Sequence, residues 1–290
     1  MDASTLNTLP TSQPQPRDAV YNTPAGRYLV RQILSNCVPS VEPHEYQLDG
    51  VCFSLDGNDV VATMATGTGK TGFFIFLMLV IRAISRDPYL ALGTRYFPKD
   101  PAMIVVCPTK ALQEDMCTKM KEFGLDSLVI NSDTSTEARK SGKDLWVDAQ
   151  TRYTIILLSP EELITRPFAQ LLEQKDFCGR VCMLGVDEIH LLHWWGKSFR
   201  PAFRQIANLR ARLPKIQGHR LPVVALTATL RVGTTMDEVT KILGLSPGRY
   251  HLIRPSMSTG AGGSVFKPRF RVVSVIHFST FQPGVCHALD

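Results

Sequence analysis

The chain has 290 residues, 44% of them hydrophobic and 20% charged, ordinary proportions for a globular protein with room for a sizeable core. Its longest apolar run, residues 73–81, falls far short of the ~18 residues a membrane-spanning helix needs, so no membrane partner is expected. A formal charge of +6 and a pI near 9.0 lean toward a polyanionic partner without specifying one, and seven cysteines without Cys-x-x-Cys spacing argue against a zinc ribbon or a secreted disulfide framework, leaving a reducing compartment, nucleus or cytoplasm.

Residues 1–25 are rich in Ser, Thr, Pro, Gln and Asn, with Pro10, Pro14, Pro16 and Pro24 set to break a helix, and are expected to form a disordered tail. From 26 to 255, short β-branched runs alternate with helical patterns. The runs at 60–63, 103–107, 128–130, 154–158, 181–186 and 223–226 are apolar on both faces, as strands buried in a parallel sheet require. This predicts an α/β fold, a mostly parallel open sheet with helices on both faces and ligands at the carboxyl ends of the strands. Residues 131–151 are polar and read as a loop with a short helix. Residues 256–290 open on a Gly-rich link and carry one alternating run, 269–278.

The first chemistry-bearing stretch runs from the strand at 60–63 through Met64-Ala65-Thr66-Gly67-Thr68-Gly69-Lys70-Thr71 into an apolar helix, the strand–turn–helix context of a phosphate-binding loop. Gly67 and Gly69 allow the backbone turns that aim successive N–H groups at a triphosphate beside a helix N-terminus. In that reading Lys70 reaches the β and γ phosphates of ATP and the Thr71 hydroxyl ligates Mg²⁺. The strict pattern wants Gly where this chain has Met64. The second stretch is Asp187-Glu188-Ile189-His190, directly after the run 181–186. Two carboxylates leaving a buried strand can divide the work: Asp187 holds Mg²⁺ and Glu188 orients and deprotonates the water that attacks the γ-phosphate.

With Leu226-Thr227-Ala228-Thr229 following in order, the set resembles the DExH-type superfamily 2 helicases, and Trp195-Gly196-Lys197-Ser198-Phe199-Arg200-Pro201 is similar to the aromatic-rich loop of the RecQ group, whose phosphate loops commonly carry Met where this chain has Met64. The resemblance spans about residues 26–255 and implies the first RecA-like P-loop NTPase domain of an ATP-dependent 3′–5′ DNA helicase, with ATP and Mg²⁺ as cofactors and single-stranded or tailed duplex DNA as partner. It implies that Gln47 reads adenine, that Thr109, Lys110 and Ser159 face nucleic acid, that Trp195, Phe199 and Arg200 form the aromatic loop, and that His190, Thr227 and Thr229 couple the two activities. Two places depart from the RecQ pattern: Pro43-His44-Glu45 stands where Phe-Arg-Pro is usual, and His193-Trp194 where Ser-Gln is. No second RecA-like domain is read after Thr229, so an arginine finger and unwinding by this chain alone are not expected. An RNA helicase half, and a nucleotide-dependent nucleic-acid-binding module without turnover, are the alternatives.

Overall fold

A computed structural model describes residues 19–65, 67, 69–93, 95–191, 205–213, 215, 220–229, 234–245 and 250–254. In chain order the elements are α1 (Pro24–Cys37), α2 (Glu45–Leu55), β1 (Asp59–Thr63), α3 (Lys70–Arg86), β2 (Ala102–Val106), α4 (Lys110–Glu122), β3 (Ser127–Ile130), α5 (Ser132–Lys140), α6 (Leu145–Thr151), β4 (Ile155–Leu158), α7 (Arg166–Leu171), α8 (Lys175–Arg180), β5 (Val181–Val186), α9 (Gln205–Arg212), β6 (Val223–Thr227), α10 (Thr234–Ile242) and β7 (Tyr250–Ile253). The seven described strands form one sheet in the order β3-β4-β2-β5-β6-β1-β7, and every pairing is parallel.

The both-faces-apolar signal has a direct structural cause. Alternate strand residues feed two cores: Val60, Ala62, Met103, Val105, Ile155 and Leu157 on one face, Val61, Ile104, Val106, Ile156 and Leu158 on the other. On the first face lies α3, in which every residue from 73 to 81 is buried. Full burial of a Phe, Leu or Ile side chain is worth about 1.5–3 kcal/mol, so this helix anchors the turn that precedes it. Among the described residues no helix is long and apolar enough to cross a membrane, and the described cysteines are free.

Three expectations change. The tail shortens, because the Val20, Tyr21 and Asn22 N–H groups donate to the Asp56 carboxylate at 3.0, 2.7 and 2.9 Å and Tyr21 is buried. Pro24 opens α1 rather than breaking it, since the first turn of a helix has no use for the missing N–H; residues 1–18 lie outside the described residues. The polar stretch 131–151 holds two helices, each started by a side-chain cap: Asn131 accepts from the Asp133 and Thr134 N–H groups, and Asp144 from the Trp146 N–H. Finally, β7 adds an edge strand that the sequence patterning misses, because only Ile253 of its four residues is buried and they give no two-sided apolar run. The run at 269–278 lies outside the described residues.

Register sets the stage for chemistry. Thr63 pairs with Thr227, Val186 with Ala225, and Val106 with both Val186 and Leu158, so the segments after β1, β2, β4, β5 and β6 leave the sheet along one edge.

Candidate functional site

At the end of β1 the Met64 N–H donates to the Thr227 carbonyl at 2.8 Å, continuing the ladder one residue past the strand, and its side chain is buried where the strict loop pattern has Gly. Gly67 and Gly69 then turn the chain with φ of 84° and 86°, the left-handed region that a side chain strains. At Gly67 the torsion alone requires glycine, since an added Cβ meets nothing within 4 Å; at Gly69 it would also come within 2.9 Å of the Gln47 amide nitrogen. Thr66 and Thr68 lie outside the described residues. Lys70 and Thr71 are the first two residues of α3, so the lysine sits over the helix N-terminus where anions are favoured.

Gln47, in the first turn of α2, is 3% exposed. Its Oε1 accepts the His44 N–H at 2.9 Å and its Nε2 donates to the Gly69 carbonyl at 3.0 Å, tying α2 to the turn. These bonds use one of its two amide hydrogens and one of its two oxygen lone pairs.

At the end of β5, Asp187 is 3% exposed, and its N–H donates to the Val106 carbonyl at 2.9 Å. Its Oδ1 accepts the Glu188 N–H at 2.8 Å. Burial, with the neighbouring Glu188 charge as the next cause, pushes this carboxyl up to about 6, against the opposing Glu188 N–H and the Lys70 charge. Glu188 has φ 49°, rare for a side chain of its size and costing on the order of 1–3 kcal/mol. Its Oε1 is ion-paired with Lys70 Nζ; its Oε2 lies 3.1 Å from His190 Nδ1 and 3.4 Å from the Ala228 N–H.

His190 Nδ1 also stands 2.9 Å from Thr227 Oγ1. The Thr227 hydroxyl donates to the Thr229 carbonyl at 3.1 Å and accepts the Thr229 N–H at 3.2 Å. With an acceptor carboxylate on one side and a hydroxyl already donating on the other, the Nδ1 proton belongs on His190. Lys70, Glu188, His190, Thr227 and Thr229 are thus one hydrogen-bonded chain across three strand ends.

The remaining predicted residues distribute unevenly. Thr109 caps α4, and Lys110, its first residue, is 46% exposed with its Nζ 2.7 Å from Asp133 Oδ1. Ser159 is 8% exposed, its N–H donating to the Ile130 carbonyl, so exposed Glu161 and Ile164 form the surface there. Trp195, Phe199 and Arg200, with the departures His193 and Trp194, lie outside the described residues. Sequence reasoning misses Asp133 as the partner of Lys110. The Asn-x-x-Thr cap at 131–134 is the signal that finds α5, though nothing local reveals the pairing.

Chemically, a cation over a helix N-terminus, a glycine-bearing turn and two carboxylates from the strand beyond β6, one of them ion-paired with that cation, can receive a phosphate chain and act on its far end. The Asp187 carboxylate and the Thr71 hydroxyl are oxygen donors of the kind Mg²⁺ takes alongside substrate phosphates.

Comparison with known proteins gives the same direction. The DEAD/DEAH box helicase family matches residues 45–238. An ATP-dependent DNA helicase RecQ of Haemophilus influenzae is 28% identical over 184 residues, 63% of this chain and 25% of that protein. A putative ATP-dependent RNA helicase of Acanthamoeba polyphaga mimivirus is 26% identical over 250 residues, 85% of this chain and 40% of that protein. The chain therefore spans well under half the length of these relatives. In fold it resembles the crystal structure of the DUF1998 helicase MrfA bound to DNA and AMPPNP, at TM-score 0.56 and 17% identity over 78% of this chain and 29% of that one.

Proposed function

The chain belongs to the DEAD/DEAH box helicase family, and from that premise we propose that it is the ATP-binding motor half, the first RecA-like domain, of an ATP-dependent 3′–5′ DNA helicase of RecQ type, acting in the nucleus or cytoplasm. The domain is read as residues 26–255, extended at its start by the anchored residues 20–25, with 256–290 as a link. The observation that carries the reading is the hydrogen-bonded chain from Lys70 through Glu188 and His190 to Thr227, which joins a phosphate-loop lysine to a general base and to the segment after β6.

The loop Thr66, Gly67, Thr68, Gly69, Lys70 and Thr71 binds the ATP phosphates, the two glycines giving the backbone the torsions that turn N–H groups toward them. Lys70 then exchanges Glu188 for phosphate oxygens, which frees Glu188 Oε1 to orient the attacking water and take its proton. Thr71 and Asp187 would hold Mg²⁺, which when bound neutralises charge developing on the phosphates. Gln47 offers its free amide hydrogen and lone pair to adenine. A single strand crosses the same edge at Thr109, Lys110 and the Ser159 segment, Trp195, Phe199 and Arg200 are assigned to it by the family resemblance alone, and His190 with Thr227 and Thr229 reports the state of Glu188 to the strand.

Nucleotide binding tests this directly. Lys70→Ala is expected to lose at least about tenfold in ATP affinity, the equivalent of a charge-assisted contact of ~1.5 kcal/mol or more, whereas Glu188→Gln keeps binding within about twofold and loses residual hydrolysis. Lys70→Ala protein that binds like the parent removes the assignment. An arginine finger supplied by a second domain is worth roughly 10³–10⁵ in rate, so hydrolysis by these 290 residues alone is expected near background, with a tailed duplex left intact. The similarity to the viral RNA helicase favours a second reading, an RNA helicase half. Stronger stimulation of residual hydrolysis by single-stranded RNA than DNA selects it, and stimulation by neither selects a binding module without turnover.

A further inference from the structure

The lysine that opens α4 is not free for a phosphate. Lys110 Nζ lies 2.7 Å from Asp133 Oδ1, in the first turn of α5, and both side chains reach solvent, 46% and 73% exposed. Most such pairs are incidental, because holding two mobile side chains together costs as much as the attraction returns. Here the two backbones are fixed to each other from below. Gln113, fully buried on α4, donates from Nε2 to the Cys107 carbonyl at 3.0 Å and accepts on Oε1 from Asn131 Nδ2 at 2.8 Å. Asn131, 1% exposed, accepts the Asp133 N–H on its own Oδ1 at 3.0 Å. A buried amide relay therefore runs from the end of β2 to the backbone of Asp133 and keeps its carboxylate beside Lys110.

We propose that Asp133 is a built-in competitor for the nucleic-acid phosphate at Lys110: the carboxylate occupies the lysine when no strand is bound, and a backbone phosphate must displace it. The inference rests on the reading that a strand crosses the edge at Lys110. It makes Asp133 a residue that sets the strength of grip rather than one that touches the strand. A carboxylate and a phosphodiester are interchangeable partners for an ammonium, so the exchange trades one contact for another and holds affinity below what the lysine alone would give.

The test is anisotropy of a labelled single-stranded DNA oligonucleotide with the full chain at about 50 and about 200 mM salt, the range over which phosphate contacts weaken steeply. Asp133→Asn keeps the shape and the helix start. It is expected to tighten binding about two- to fivefold at the lower salt, the size of an exposed ion pair, with a smaller gain at the higher. The gain should vanish in the Lys110→Ala background. Asp115→Asn, which removes the same charge from the exposed Lys119 pair on α4, should give none. Unchanged affinity in Asp133→Asn, an equal gain in Asp115→Asn, or a gain that survives Lys110→Ala overturns the proposal while leaving the strand reading intact. Failure of the parent and every variant to bind the strand overturns both.

Discussion

The two edges of the sheet both bury charge, and they do so in opposite ways. At the amino edge, Asp59 Oδ1 accepts from Arg210 at 2.6 Å and from the Val223 N–H at 2.9 Å, while Arg210 also donates to the Leu221 and Gly244 carbonyls at 2.9 and 3.3 Å. Asp56 nearby receives three backbone N–H groups. At the carboxyl edge, Asp187 is as deeply buried but is pushed up to about 6, and Glu188 is held at φ 49° with its lysine borrowed from the phosphate loop. Asp59 has a guanidinium of its own, whereas among the described residues Asp187 makes no ion pair and Glu188 is paired with the lysine that the proposed function gives to phosphate.

The sharpest way to break this contrast is Arg210→Ala. Leaving Asp59 buried and without its guanidinium should cost about 3–5 kcal/mol of unfolding free energy, read as a lower urea midpoint, with nucleotide affinity of the folded protein unchanged. A loss under about 1 kcal/mol would mean that the amino edge is not the structural anchor. Next in size, Asp56→Ala strips the acceptor from three N–H groups, and should cost about 1–3 kcal/mol and expose the segment 20–23 to protease. Smallest, and opposite in sign, Asp187→Asn should stabilise the nucleotide-free chain by about 1 kcal/mol, a rise of roughly 2–4 °C in Tm, while weakening the Mg²⁺ dependence of nucleotide binding. An Asp187→Asn protein less stable than the parent would place that carboxylate among the structural charges instead.

The sequence made six of the strands legible because they are buried on both faces and apolar through their middles, and β7 escaped because only Ile253 of its four residues is buried. The loop at Gly67–Gly69 and the pair Asp187-Glu188 were readable for a different reason: backbone torsion and carboxylate chemistry restrict the residue types whatever surrounds them. What stayed hidden was pairing at a distance. Nothing near Lys70 points to Glu188 as its partner, and nothing near Lys110 points to Asp133, since ion pairs between surface-type residues leave no periodic trace. Burial of Ser159 was hidden likewise, being set by the ladder to Ile130 across the sheet. Pro24 misled because proline ends a helix or begins one according to its place in the turn.

The strand order has one further consequence. β6 lies between the strand that ends in the phosphate loop and the strand that ends in the carboxylate pair, so those two halves of the site are not sheet neighbours. At its tip the Thr227 carbonyl takes the Met64 N–H while the Thr227 hydroxyl faces His190. One threonine thus works as a keystone: its main chain bears on one flank and its side chain on the other. Thr227→Val would keep the first thrust and remove the second.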